Sequence, residues 1–154
     1  MIAKYFNYGK AKSGALEYLL NDRILDNTAR VIKGNSSHTQ AIINSISRKR
    51  KYSSGVLAFE EKNISEERKF RIMREFEEMT FPGLDQDQYN ILWVEHTDKN
   101  RLELNFVIPR IELTTGKAYN PHWHQKDQKK LLLFQDIINS KNNFTNPFAA
   151  NKQQ

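Results

Sequence analysis

Residues 96–106, HTDKNRLELNF, alternate in character: Leu102, Leu104 and Phe106 share one parity, while Glu103 and Asn105 share the other. An antiparallel hairpin with a six-residue connection from Thr97 to Leu102 sets His96 opposite Glu103, and opposed residues share a face. His96, Glu103 and Asn105 then converge. A slip of one residue would turn Leu104 and Phe106 out of the core, which excludes the odd register. An imidazole nitrogen, a carboxylate oxygen and an amide oxygen within a few ångströms make a divalent-metal site: histidine tolerates Mn²⁺, Co²⁺, Ni²⁺ or Zn²⁺, and the oxygens suit Mg²⁺ and Mn²⁺. One negative charge among three ligands leaves such an ion electropositive and attractive to a phosphate. The plainer reading of the same pattern is the wet face of a half-buried strand, with His96 at a loop edge.

A second candidate group is Tyr18. In SGALEYLLND, Leu16, Leu19 and Leu20 fall at i, i+3 and i+4, the stripe of an amphipathic helix that Ser13 can cap. At about 100° per residue, Tyr18 lies roughly 150° from the centre of that stripe and points away from the core the leucines enter. A nucleophile must point this way, and so does an ordinary surface tyrosine. A phenol with a pKa near 10 attacks poorly at neutral pH unless its charge is stabilised as it forms.

The elements that must position these groups follow from periodicity. MIAKYFNY reads as a strand running into the basic loop GKAKSG, which carries Lys10 and Lys12. Asn35 and Ser36 cap a helix through HTQAIINSISRK, with Ile42, Ile43 and Ile46 on one side, ending in the run Arg48, Lys49, Arg50, Lys51. A strand is expected around Val56 to Phe59. Ser65, Glu66 and Glu67 open a helix that turns Phe70, Met73, Phe76 and Met79 to the core and stops at Pro82-Gly83. YNILWVEH and LELNFVIPRIEL are neighbouring antiparallel strands in the middle of the sheet, followed by a short edge piece near Ala118 and Tyr119. Asp127 caps a last helix from Gln128 to Asn139, with Leu131, Leu132, Phe134, Ile137 and Ile138 as its apolar residues. The pattern predicts an α+β fold, an antiparallel central sheet flanked by helices that pack on one side of it. One domain is expected over residues 1–140, with residues 141–154 an irregular tail.

Composition narrows the chemistry. The 154 residues, 38% hydrophobic and 11% aromatic, suit one globular domain. The absence of cysteine excludes disulfides, zinc ribbons and thiol catalysis, and favours a cytoplasmic location. No segment approaches the roughly 18 apolar residues of a membrane helix, and the N-terminus lacks an apolar run of signal-peptide length. Lys and Arg total 24 against 18 Asp and Glu, a formal net charge of +6, which favours a polyanionic partner such as nucleic acid. Lys10, Lys12 and the run Arg48, Lys49, Arg50, Lys51 would attract phosphates, and exposed aromatics such as Tyr8 or Tyr52 could stack on unpaired bases. His122 and His124 in PHWHQKD imitate a metal-binding pair and are read as incidental loop residues.

The motif H-x-D-x-x-R-x-E-x-N, present as His96, Asp98, Arg101, Glu103 and Asn105 and followed by FVIPRIEL and TTGK, resembles the signature of MobA-type plasmid mobilisation relaxases. The match is to the branch with a His-Glu-Asn set, the HEN relaxases. YLLND around Tyr18, KGN at Lys33 to Asn35, KYSSGVLAFEEK, the PGL at Pro82 to Leu84 and QYNILWVEH extend the resemblance to about Asp136. It implies the fold of the relaxase and replication-initiator (HUH-like) nucleases, most of which bind metal through three histidines. Here Glu103 and Asn105 would take the second and third ligand positions.

The resemblance further implies Tyr18 as the nucleophile. It would become linked to a 5′ phosphate at a plasmid transfer origin and leave a free 3′ hydroxyl, which can reseal the strand without a nucleotide cofactor. Asp98 would orient His96 or act as a base, and Arg101 would hold a phosphate. The implied cofactor is Mg²⁺ or Mn²⁺. The implied partners are single-stranded origin DNA and accessory mobilisation proteins, with no membrane insertion and a natural protein longer than this chain. Two alternatives stay open: a non-catalytic basic nucleic-acid-binding module, and a rolling-circle replication initiator or transposase of the same nuclease group.

Overall fold

The computed structural model describes residues 1–7, 28–97 and 100–145. Five strands, β1 (Ile2–Tyr5), β2 (Ala29–Lys33), β3 (Tyr52–Phe59), β4 (Leu92–His96) and β5 (Leu102–Pro109), form one sheet in the order β1-β3-β5-β4-β2. Every neighbouring pair is antiparallel. β4 and β5 are adjacent and β5 is central, as their apolar composition predicts. β2 was not foreseen: ARVIK offers only Val31 and Ile32 as strand formers, and its pairing is supplied by β4 rather than by its own sequence.

Among the described residues, three helices pack on this sheet, α1 (Ser36–Ser45), α2 (Glu66–Thr80) and α3 (His124–Asn142). The expectation that they share one side is corrected. Alternate residues of β4 face opposite ways, so Trp93 joins the main core while Leu92 and Val94 join a smaller cluster with Ala29, Val107 and Ile43 of α1. The helices α2 and α3 cover the main core. There Phe76 meets Phe106 at 4.7 Å and Trp93 at 5.4 Å between ring centroids, with Leu57, Leu104 and Ile108 beneath and Leu131, Phe134 and Ile138 alongside. Burial of such aromatics is the largest apolar contribution a domain of this size has.

Helix boundaries follow side-chain capping. The Asn35 side chain accepts from the His38 amide and that of Ser65 from the Arg68 amide, as the sequence suggested. α1 ends at Ser45, so the basic run Arg48 to Lys51 lies in the connection to β3 and not on a helix end. α3 starts earlier than expected: Trp123 is its N-cap, and Asp127 accepts from the Trp123 amide at 2.9 Å. Two apolar stripes are narrower than predicted, because Phe70 of α2 and Leu132 and Ile137 of α3 are exposed.

Gly55 is fixed by close packing. A Cβ there would stand 2.3 Å from the Lys4 carbonyl oxygen and 2.5 Å from the Phe106 ring, so the aromatic core closes over a bare backbone. At the other end of the chain, Phe144 is buried and the Met1 ammonium donates to Asn139 Oδ1 at 2.9 Å and to the Thr145 carbonyl at 2.8 Å. β1 is thereby tied to the end of α3.

Candidate active site

The hairpin register is the one that brings the polar parity together. His96 stands opposite Glu103 and Val94 opposite Asn105, so His96, Glu103 and Asn105 share the face that carries Val94 and Val107. The connection is one residue shorter than expected, since Leu102 is already in β5, yet the register is unchanged. Next to Arg101, Asn100 adopts a left-handed backbone (φ 57°) that turns the chain into β5, and its side-chain oxygen accepts from Lys62 Nζ at 2.9 Å.

His96 and Asn105 are buried, at 2% and 4% exposure, and the Asn105 amide nitrogen lies 3.2 Å from His96 Nδ1. Dry polar groups need such partners, and this contact fixes the imidazole plane. Glu103 is at the rim: its Oε2 meets Arg101 Nη2 at 3.3 Å, and the Arg101 side chain is half exposed. The row continues with small side chains, Ala29 of β2 beside His96 and Ala58 of β3 beside Glu103. Neither alanine carries a chemical signal in the sequence, and Ala29 lies on a strand whose pairing is supplied by β4.

The donor set fits a small divalent ion. Two cis ligands at about 2.1 Å from one ion stand about 3 Å apart, close to the 3.2 Å between His96 Nδ1 and the Asn105 amide. The amide would present its oxygen by turning over. Among the described residues, no three His, Cys, Asp or Glu side chains cluster as a metal-holding group.

Glu95, the neighbour of His96, faces the opposite side of the sheet and anchors this strand end. Its carboxylate accepts from Arg30 Nε at 2.9 Å and Lys69 Nζ at 2.7 Å, joining β4 to β2 and α2. Burial alone would push this carboxyl up, but the hydrogen bonds from Arg30 and Lys69 outweigh it and hold it below the usual carboxylate range.

The remaining sequence candidates separate. Tyr18, Tyr8, Lys10, Lys12 and Asp98 lie outside the described residues. Arg48 donates to the Arg110 carbonyl at 2.7 Å, and the Arg48 to Lys51 run sits at the far end of β5 from Glu103. Arg110 is seven positions on from Glu103, roughly 24 Å of extended chain at 3.4 Å per residue. Tyr52 is half-buried against the smaller apolar cluster. His122 stacks on Tyr5, rings 4.3 Å apart and nearly parallel, on a different part of the fold from His96.

Comparison with known proteins places these features in a family. A family model described as relaxase, MobA/VirD2-like, nuclease domain, matches residues 11–144. The chain is 44% identical to "Cryptic plasmid protein C" of Neisseria gonorrhoeae, over all of this chain and 76% of that protein. It is 39% identical to "DNA relaxase MbeA" of Escherichia coli, again over its whole length but over 30% of that protein. No solved structure matches.

Proposed function

The chain belongs to the MobA/VirD2-like relaxase nuclease-domain family, and from that premise we propose that it nicks one strand of a plasmid transfer origin by tyrosine transesterification, as a member of the His-Glu-Asn branch. What carries this reading is the convergence of His96, Glu103 and Asn105 on one face of β4 and β5, with the imidazole and amide in contact.

His96, Glu103 and Asn105 would hold a divalent cation, Mg²⁺ or Mn²⁺. Such an ion, when bound, withdraws charge from the scissile phosphate and stabilises the charge that develops during attack. The chain's own groups do the rest. Asn105 fixes the imidazole ring, Arg101 contacts a phosphate, and Asp98, carried by the sequence motif alone, serves as an orienting group.

The Tyr18 oxygen bonds to phosphorus while the bond from phosphorus to the 3′ oxygen breaks. The phenolic proton leaves, the 3′ oxygen takes one up, and the 5′ phosphate stays on Tyr18. One phosphoester replaces another, so the 3′ hydroxyl can reverse the step and reseal the strand. Lys10, Lys12 and the run from Arg48 to Lys51 supply attraction for the DNA backbone. The working protein is cytoplasmic and acts with accessory mobilisation proteins, and residues 1–140 form its nicking domain.

The test is nicking of supercoiled DNA that carries the cognate origin, with Mg²⁺, Mn²⁺ or a chelator, for the wild type and His96→Ala. The expected result is a nick at one position on one strand, lost with the chelator and in His96→Ala. A nick that survives both would overturn the proposed metal chemistry.

A further inference from the structure

Glu103 is the second residue of β5 and Arg101 lies just ahead of that strand, and the ion pair between them brings the Arg101 guanidinium to the edge of the candidate metal face. The contact between them is a single one, Nη2 to Oε2 at 3.3 Å, and Arg101 is half exposed while Glu103 is largely covered. A long, one-point ion pair with one solvated partner holds a carboxylate only loosely. Its electrostatic effect is larger than its grip. His96 and Asn105 are uncharged as ligands and Glu103 brings one negative charge, so the Arg101 guanidinium brings the sum over these four side chains to zero.

We propose that Arg101 is the counter-cation of Glu103 in the ion-free protein and competes with the divalent ion for this carboxylate. The inference rests on the metal reading of His96, Glu103 and Asn105 given above. Arg101 is thus a positioning residue that acts through Glu103 and weakens intrinsic metal affinity. It keeps the carboxylate neutralised where it is mostly removed from water, and yields it when an ion arrives. This differs from a role in which Arg101 only steadies Glu103 for ligation, because the two roles have opposite signs: loss of a competitor tightens metal binding, whereas loss of a support loosens it.

The experiment is titration of Mn²⁺ into the DNA-free protein, followed by the electron paramagnetic resonance of the free ion, for the wild type, Arg101→Ala, Arg101→Lys and Glu103→Gln. Arg101→Ala is expected to bind Mn²⁺ about threefold to tenfold more tightly, the order that one partly solvated neighbouring charge allows. Arg101→Lys keeps the charge and should return affinity toward the wild type. Unchanged or weaker binding in Arg101→Ala overturns the inference. If Glu103→Gln weakens binding at the same time, the metal site itself stands and only the role of Arg101 falls. If Glu103→Gln leaves Mn²⁺ binding untouched, the metal reading falls and this inference with it. Circular dichroism of each variant separates these outcomes from unfolding.

Discussion

At the scale of single residues, the candidate site is a division between dry and wet groups. His96 and Asn105 are buried and touch, while Glu103 and Arg101 meet at the rim. Asn105→Ala removes the amide from a buried imidazole. It is therefore expected to cost about 1–3 kcal/mol of stability, measured by urea unfolding, and to lower nicking by at least about tenfold, because the ring loses its orienting partner. These residues were legible in the sequence because alternation with Leu104 and Phe106 dictated their parity. Their neighbours Ala29 and Ala58 were not, since nothing in an alanine's own chemistry marks it as the edge of a site.

At the scale of elements, the hairpin end that carries His96 is braced from behind by Glu95, which joins β4 to Arg30 of β2 and Lys69 of α2. Its carboxyl is lowered on folding, so it stabilises the fold above its unfolded pKa of about 4.3 and loses that contribution as pH falls through the lower folded value. Glu95→Gln should cost roughly 2 kcal/mol at neutral pH, less than for a fully buried pair because Arg30 is half exposed. The gap between variant and wild type in thermal melts should close below about pH 4.

Gly55→Ala forces a methyl group into the Lys4 carbonyl and the Phe106 ring and is expected to cost about 3 kcal/mol, read from urea unfolding. The strands β4 and β5 could be read from their own residues. β2 could not, because its pairing comes from a partner 60 or so residues away. α1 was placed correctly by its cap, but the face of the sheet it covers is decided by the connections, which periodicity does not encode.

At the scale of the whole molecule, both ends of the described chain meet: the Met1 ammonium is held by Asn139 and Thr145, and Phe144 packs on Phe59. A tag fused ahead of Met1 replaces that ammonium with an amide carrying more chain and should lower the midpoint of thermal unfolding by several degrees, about 1 kcal/mol for a domain of this size. The sheet order, with β5 central and the site strands beside it, places the candidate ligands on the most firmly paired part of the fold.

The central claim is that this domain cuts DNA by attaching it to Tyr18. The direct measurement is to incubate the protein with Mn²⁺ and supercoiled DNA bearing its own origin, digest the DNA and the protein, and identify the modified peptide by mass spectrometry. The account predicts a nucleotide joined through its 5′ phosphate to the peptide containing Tyr18, and no adduct in Tyr18→Phe. An adduct on a different residue, or a nicked strand whose 5′ end carries no protein, would contradict it.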